Sequence, residues 1–421
     1  MMNRRNTKIL VLGAALMLAL PVVASAQMSR VEGMALQGDF IKDWSGIFTY
    51  TSQVANVGNL VYGELGDTSP SLGNADRSVG AVIGNLWDGR LGTWSIHLRE
   101  QTPQLGQGNA SSNPAPGVLG SDPNVHPFES FDLMWGKKFG TTSFGVRLNR
   151  SFGSLEGDLF ALGLGPIGTV ESGDPTFGSD PNFTRNVLGI GAGLGFEMSP
   201  TSNVETSVLY QRRTFSVRDT AGSAPLNTYE EDGPTTYRVA ARAMWQWQPN
   251  VMVVPVFKWY SYDLSTTDVG GVYGLTEQNT LKGWQLGAAG NWALGSNDLF
   301  VLGATFAQNK LEASNSTFEV TETYAPQVFA ALETHLNSWL TVRFGANKGA
   351  WYSQELRDAT VPATVKFKGS DFNMRLGAGL KFGNLQLDAI LADAFPNNLP
   401  FFISGNSTSD MFSKVTATYP W

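Results

Sequence analysis

The sequence predicts an all-β fold: one closed antiparallel barrel of about sixteen strands, with fourteen as the alternative count, lying in lipid. Three observations predict it. Past residue 57 the side chains alternate with period two, not 3.6, which marks strands with one apolar and one polar face. The links between those stretches are short and long in turn, the layout of a barrel with tight turns at one rim and long loops at the other. Tryptophans and tyrosines sit at two heights along the strands, bounding an apolar band about 25 Å tall.

Residues 1–26 read as a signal peptide. Arg4, Arg5 and Lys8 precede an apolar run from Ile9 to Leu20, and Ala24-Ser25-Ala26 closes the segment with a small-x-small pattern. The run is about 12 residues, too short for a bilayer's ~30 Å core. Cleavage is expected near Ala26. It removes three positive charges and takes the formal net charge from −7 to −10. Residues 27–57 form an N-terminal segment expected in the periplasm or in the lumen, and residues 58–421 form the barrel.

Strands are expected near 58–66, 78–86, 91–101, 128–139, 142–152, 184–198, 202–216, 236–248, 251–265, 278–294, 298–312, 320–336, 339–355, 365–382, 385–394 and 410–421. The stretch Phe372, Met374, Leu376, Ala378, Leu380, Phe382, interleaved with Asn373, Arg375, Gly377, Gly379 and Lys381, shows the alternation well. Short turns fall at Asp88-Gly89, Gly140-Thr141, Ser199-Pro200-Thr201, Pro249-Asn250, Gly295-Ser296-Asn297, Asn337-Ser338 and Gly383-Asn384. Polar Gly/Pro/Asp-rich loops lie between them, the longest being 102–127 and 153–183. An even strand count lets the first and last strands pair, and lipid makes closure compulsory because it cannot satisfy an open edge. A water-soluble sandwich has no reason to alternate its loop lengths, and its strands average only ~5–6 residues. Trp245, Trp247, Trp292, Trp339 and Trp421 fall near short turns or the C-terminus, and Trp259, Trp284 and Trp351 lie farther along the strands. These are the expected membrane-interface aromatics.

If the apolar parity faces lipid, the opposite parity faces the lumen. The expected pore-lining residues are then His97, Arg99, Asp132, Arg147, Glu205, Arg213, Arg238, Arg242, Arg343 and Arg375. Gly189, Gly191, Gly193 and Gly195 put glycine at every inward position of one strand, leaving room for another backbone. The third long loop, 153–183, or the 27–57 segment is expected to pack there.

Other functions lack their residues. There is no Cys, which removes thiol catalysis and iron–sulfur ligation. An acidic chain with 15% charged residues suits no nucleic acid. His97, His126 and His335 are the only histidines, and no metalloprotease, nucleophile-elbow or phosphate-loop motif is present. No enzymatic activity and no cofactor is expected. Ser121-Asp122-Pro123, Gly173-Asp174-Pro175 and Ser179-Asp180-Pro181 are accounted for by Asx turns, since Asp before Pro initiates turns.

The whole chain past residue 26 resembles bacterial outer-membrane porin-type barrels. Met411, Ser413, Val415, Ala417, Tyr419 and Trp421 share one parity and end on an aromatic residue, which is similar to the terminal strand read by the barrel-assembly machinery. Gly33-Met-Ala-Leu-Gln-Gly-Asp-Phe40 through Val54-Ala-Asn56 resembles the N-terminal region of the FadL-like transporters and their PorV-like relatives, without that group's Asn-Pro-Ala stretch. These resemblances imply an outer-membrane protein in contact with lipid, as a monomer or homo-oligomer. The first expectation is a channel for passive diffusion of small solutes. The alternatives are a FadL-like conduit for hydrophobic compounds and a non-transport barrel serving a structural or secretion complex.

Overall fold

The computed structural model describes residues 28–66, 77–84, 86–99, 130–155, 181–219, 227–231, 235–263, 267–268, 279–295, 298–313, 318–358, 364–369, 372–391 and 412–421. The expected signal peptide, the middle of the 153–183 loop and the first two Asp-Pro tripeptides lie outside them.

The strands are β1 (Leu60–Gly66), β2 (Ser78–Ile83), β3 (Thr93–Arg99), β4 (Ser130–Phe139), β5 (Thr142–Leu155), β6 (Pro181–Ser199) and β7 (Ser202–Asp219). They continue with β8 (Asn227–Glu231), β9 (Thr235–Gln248), β10 (Val251–Asp263), β11 (Thr267–Asp268), β12 (Asn279–Leu294), β13 (Asp298–Ala313) and β14 (Phe318–His335). The last are β15 (Leu340–Gly349), β16 (Tyr352–Asp358), β17 (Thr364–Gly369), β18 (Phe372–Phe382), β19 (Leu385–Leu391) and β20 (Phe412–Pro420). Every pairing is antiparallel. One circuit runs through β1 to β7, then β9, β10, β12 to β15, β18, β19 and β20, and returns to β1. That is a closed ring of sixteen strands, sealed where Leu60 faces Pro420 and Gly66 faces Lys414. The ring has no edge, so every ladder group is met within the wall.

The remaining four strands extend the rim on the long-loop side. β8 pairs with β7 and with β11, which lie in segments expected as loops, and β16 pairs with β14 and β17. The stretch expected as one strand over 339–355 breaks between Gly349 and Tyr352, and its neighbour breaks between Gly369 and Phe372. β5 and β6 run on to Leu155 and back from Pro181, so both ends of the third loop are wall. Pro420 is the last residue of β20, where its missing N–H costs little.

One short turn is larger than expected. β2 stops at Ile83, and Leu86–Leu91 folds into a compact turn with positive φ at Trp87 (54°), Asp88 (55°), Gly89 and Gly92. Its carbonyls are collected by outward side chains. The indole N–H groups of Trp94 and Trp135 donate to Leu91 O at 3.0 and 2.8 Å, and Lys137 Nζ donates to Arg90 O at 2.8 Å. Backbone acceptors that would otherwise need ladder partners are thereby met, and the strand can end early.

Parity sorts the wall. On β6 the outward residues Leu188, Ile190, Leu194 and Phe196 are exposed, while inward positions hold the four expected glycines. On β3 the pattern is strict, with Thr93, Ser95, His97 and Arg99 buried inside and Trp94, Ile96 and Leu98 exposed outside. The inner face is not wholly polar, which corrects the expected lining. Near the short turns it carries Leu60, Val82, Met134, Met244, Val254, Val256, Ala289, Val301, Phe329 and Ala331, all buried. The continuous run Val251–Phe257 has both faces apolar for this reason: one meets the exterior and the other meets residues 28–57.

Candidate functional site

Residues 28–57 lie inside the ring. They comprise one short helix, α1 (Met28–Glu32), and three 3₁₀ turns at Gly38–Phe40, Trp44–Phe48 and Thr51–Asn56. Asp43 caps the second turn, accepting from Ser45 N at 2.9 Å and Ser45 Oγ at 2.6 Å, the usual way a short polar side chain starts a helical turn. An isolated segment this irregular has too few internal hydrogen bonds to hold itself. The wall supplies the rest.

Two apolar clusters seat the segment. Val31, Met34, Leu36, Phe40 and Ile41 pack on Met244, Val254, Val256, Ala289, Val301, Phe329 and Ala331. Trp44, Ile47, Phe48 and Val54 pack on Leu60, Tyr62, Val82 and Met134. Burying a side chain of this size contributes about 1.5–3 kcal/mol. Glycines on the wall make room for the segment's backbone. A Cβ at Gly345 would lie 1.6 Å from Met34 O, and one at Gly145 would lie 2.1 Å from Thr51 O. Among the expected glycine strip, a Cβ at Gly193 would meet Ser52 N at 2.6 Å and one at Gly195 would meet Ser52 Oγ at 3.2 Å. Gly189 and Gly191 instead face their own wall, against Gln211, Leu209 and Arg147.

Side chains of the wall satisfy the segment's orphan carbonyls. Arg147 Nη1 donates to Phe48 O at 2.9 Å, Arg242 Nη1 to Asp39 O at 2.9 Å, Asn291 Nδ2 to Phe40 O at 2.7 Å and Asn347 Nδ2 to Ala35 O at 3.1 Å. Charges close the remainder. Arg30 grips Glu333 with two bonds of 2.7 and 2.6 Å, and Glu333 also accepts from Arg343, whose other arm reaches Asp388 at 2.5 Å. Asp39 pairs with Lys258, and Gln53 donates to Glu205 at 3.0 Å beside Arg242. Isolated charges could not stay buried in this interior, and pairing is what keeps them there.

The segment's own acids respond differently to burial. Burial pushes Asp39 up, but Lys258, Arg238 and Arg242 overcome it and hold its carboxyl below the ordinary range. Burial of Asp43 prevails over Arg30 and Ser45, leaving it raised to about 7. Burial would lower Arg30, and Glu333 reverses that to hold it charged.

The expected pore-lining residues divide into groups. Arg147, Arg99 and Asp132 form one cluster, with Asp132 accepting from Arg147 at 2.7 Å, and the Arg99 guanidinium lies 3.5 Å from the Phe48 ring centre. His97 sits beside them with Nδ1 3.1 Å from Tyr62 Oη. Glu205 and Arg242 form a second cluster, the guanidinium 4.1 Å over the Tyr50 ring. Arg343 belongs to a third with Glu333 and Asp388, and Arg238 is buried nearer Asp39 and Lys258. Arg375 lies 3.7 Å from Glu32. The Arg213 side chain lies outside the described residues. These groups all point inward, and most engage residues 28–57 rather than a free pore. Reading the sequence missed Glu333, Lys258, Asn291 and Asn347 as partners of that segment. Their inward parity was legible, and so was the 27–57 segment as one candidate to pack against the wall, but not which side chains would hold it.

Among the described residues, clefts lie on both sides of the segment. On the short-turn side a cavity of about 330 Å³ is lined by Lys42, Trp44, Gln53, Glu197, Met244 and Met252, among others. On the long-loop side a smaller one of about 70 Å³ lies between Leu36–Gln37 and Thr305, Gln327, Phe329, Asn347, Asn373 and Arg375. Among the described residues there is no cluster of His, Asp and Glu able to hold a metal ion.

The exterior decides the environment. Leu65, Val79, Leu98, Leu188, Ile190, Val208, Leu286 and Phe306 are exposed around the ring, and Trp245, Trp247, Trp339 and Trp421 are exposed toward the short turns. A closed sheet with an apolar outside and buried charge inside is made for hydrocarbon. The chain has the fold of the outer-membrane β-barrels. It matches CdiB from Escherichia coli at 9% identity with a TM-score of 0.43, covering 86% of this chain and 63% of that one. It matches a FadL homologue of Pseudomonas aeruginosa at 13% identity and TM-score 0.41, covering 94% and 98%. It matches the toluene transporter TodX of Pseudomonas putida at 8% and 0.38, covering 94% and 96%. The chain spans only 59% of the CdiB of Acinetobacter baumannii and 53% of the ferric preacinetobactin receptor BauA. At such identities the likeness is one of fold alone. No family model and no curated protein matches the sequence.

Proposed function

We propose that this outer-membrane barrel is a conduit for small hydrophilic solutes, closed at rest by its own residues 28–57. The observation that carries this reading is the polarity of the lumen beyond that segment. Asn149, Gln211, Thr305 and Asn309 are buried there, facing inward on the long-loop side. A wall of amides and paired charges exchanges hydrogen bonds with a hydrated solute, whereas a hydrocarbon there would strand them. The solute gradient supplies the driving force. Residues 28–57 make the expected channel a gated one, the long-loop rim facing outside and the short-turn rim facing the periplasm.

A second reading has one observation in its favour. The short-turn cavity is lined by Trp44, Met244 and Met252 among others, a surface suited to an apolar compound of the kind the FadL-like alternative carries. Proteoliposome swelling separates the two. The proposal predicts swelling in sugars or amino acids that increases when residues 28–57 are unseated. Absence of swelling together with saturable binding of octanoate would favour the hydrophobic conduit instead.

A further inference from the structure

The cleft on the long-loop side of residues 28–57 has a composition that the gating description does not use. Four amide side chains converge on it, Gln37 from the inner segment and Gln327, Asn347 and Asn373 from β14, β15 and β18. Each carries two donors and a carbonyl acceptor. The bonds between neighbouring wall side chains are stretched, Thr305 Oγ1 to Gln327 Oε1 and Gln327 Nε2 to Asn347 Oδ1 both being 3.5 Å, at the weak limit for such contacts. By contrast, Gln37 Oε1 accepts from Gln285 Nε2 at 2.6 Å and Asn347 Nδ2 donates to Ala35 O at 3.1 Å. The weakly held Gln327 amide and Asn347 Oδ1, with Asn373 beside them, are what the cleft offers a partner that donates and accepts at once.

Charge in the cleft is already matched. Glu32 is met by Arg375 at 3.7 Å and by Lys414 at 3.3 Å, and Lys414 also meets Glu64 at 3.3 Å, two carboxylates against two cations. An ionic solute finds no unmatched opposite charge here, and a neutral one needs none. Phe329 supplies one apolar surface, backed by the Phe40 ring at 4.7 Å between centres. The volume of about 70 Å³, at roughly 10–15 Å³ for each water centre, holds about five to seven waters. That is the displacement of one small ring or short polyol.

We infer that this cleft is a binding subsite for a small uncharged polyhydroxylated solute, a monosaccharide or polyol, seated between Gln37 and the wall amides. The inference rests on the hydrophilic-conduit reading and narrows its solute class. Hydroxyl groups pair with the amides in the plane of the ring, and an apolar C–H face lies toward Phe329. Specificity then comes from few placed polar groups on a partly apolar floor.

The test is titration calorimetry on the full chain in detergent micelles, with glucose, galactose, mannitol and glycerol as probes and potassium acetate and octanoate as comparisons. At least one sugar or polyol binds saturably and acetate does not. In the double variant Gln327→Ala, Asn373→Ala the affinity falls about tenfold or more, from the loss of two hydrogen-bonding side chains. Val328→Ala, on the outer face beside Gln327, leaves it unchanged and shows that the loss is local. No saturable binding by any sugar or polyol, or an affinity indifferent to the double variant, overturns the inference. Swelling without saturable binding would refute the subsite and leave the conduit standing. Saturable binding lost in the double variant, with no swelling even when residues 28–57 are unseated, would support the subsite and refute the conduit.

Discussion

Gly345 is the wall glycine, among those described, at which an added Cβ would press hardest on the inner segment, and Gly345→Leu tests whether that close approach closes the lumen. A Cβ at this residue would sit 1.6 Å from the carbonyl oxygen of Met34 and 2.2 Å from its carbon. Ordinary contact begins near 3.4 Å, so the Met34 backbone must retreat by about 1.8 Å before the rest of the leucine is placed. Retreat also strains the bond from Asn347 Nδ2 to Ala35 O. Overpacking of this kind costs about 1–3 kcal/mol, with backbone as the obstacle placing it toward the upper end. If that cost falls on the seated form alone, the unseated population rises roughly five- to a hundred-fold. The assay is planar-bilayer recording of the refolded protein at fixed voltage. Gly63→Leu is the control, since a Cβ at Gly63 meets nothing within 4 Å. Open probability should rise in Gly345→Leu and stay at the parent level in Gly63→Leu. Equal open probability in all three proteins, with the barrel folded, would refute the idea that this approach holds the lumen shut.

Three further outcomes are expected. Arg30→Ala removes one partner of a buried bidentate pair with Glu333, at about 3–5 kcal/mol, and protease cleavage within residues 28–57 should accelerate while barrel cleavage does not. Asp43 has a seated-state value of about 7 against an ordinary 3.8, because of burial. Its ionisation therefore opposes seating, so this contribution is full below about pH 4 and is lost as pH rises toward 7. Protection of the amides of residues 44–48, the observed exchange rate corrected for the intrinsic rate at each pH, should be greater at pH 5 than at pH 8, and Asp43→Asn should flatten the difference. Finally, brominated lipid should quench the fluorescence of a variant keeping only Trp245 and Trp247, exposed at 52% and 61%. A variant keeping only Trp44, 5% exposed inside the ring, should resist quenching.

The wall was legible because two signals coincide in it. Period-two alternation located sixteen strands, and the short turns at Gly140, Gly295 and Gly383 needed the positive φ that those glycines take. Breaks such as the one between Gly349 and Tyr352 were not legible, since an irregularity in a ladder leaves the parity of flanking residues almost intact. The interior was half legible. Inward parity identified Arg147, Glu205, Arg242 and Arg343, but alternation reports a direction and not a partner. It could not distinguish a pore lined with charge from a socket whose charges bind a chain segment. Val254, Val256 and Phe329 carry that information, because apolar residues on the supposedly wet face require something dry to cover them. Glycines pointed to it as well: Gly193 and Gly195 receive the segment, yet Gly145 and Gly345 receive it more closely and do not stand out in any run.

Closure of the lumen by residues 28–57 is tested most directly by single-channel conductance of the full chain and of one from which those residues are deleted. The full chain should remain at baseline with rare openings, and the shortened chain should show a steady ohmic current. A steady current of the same size in both would contradict the account.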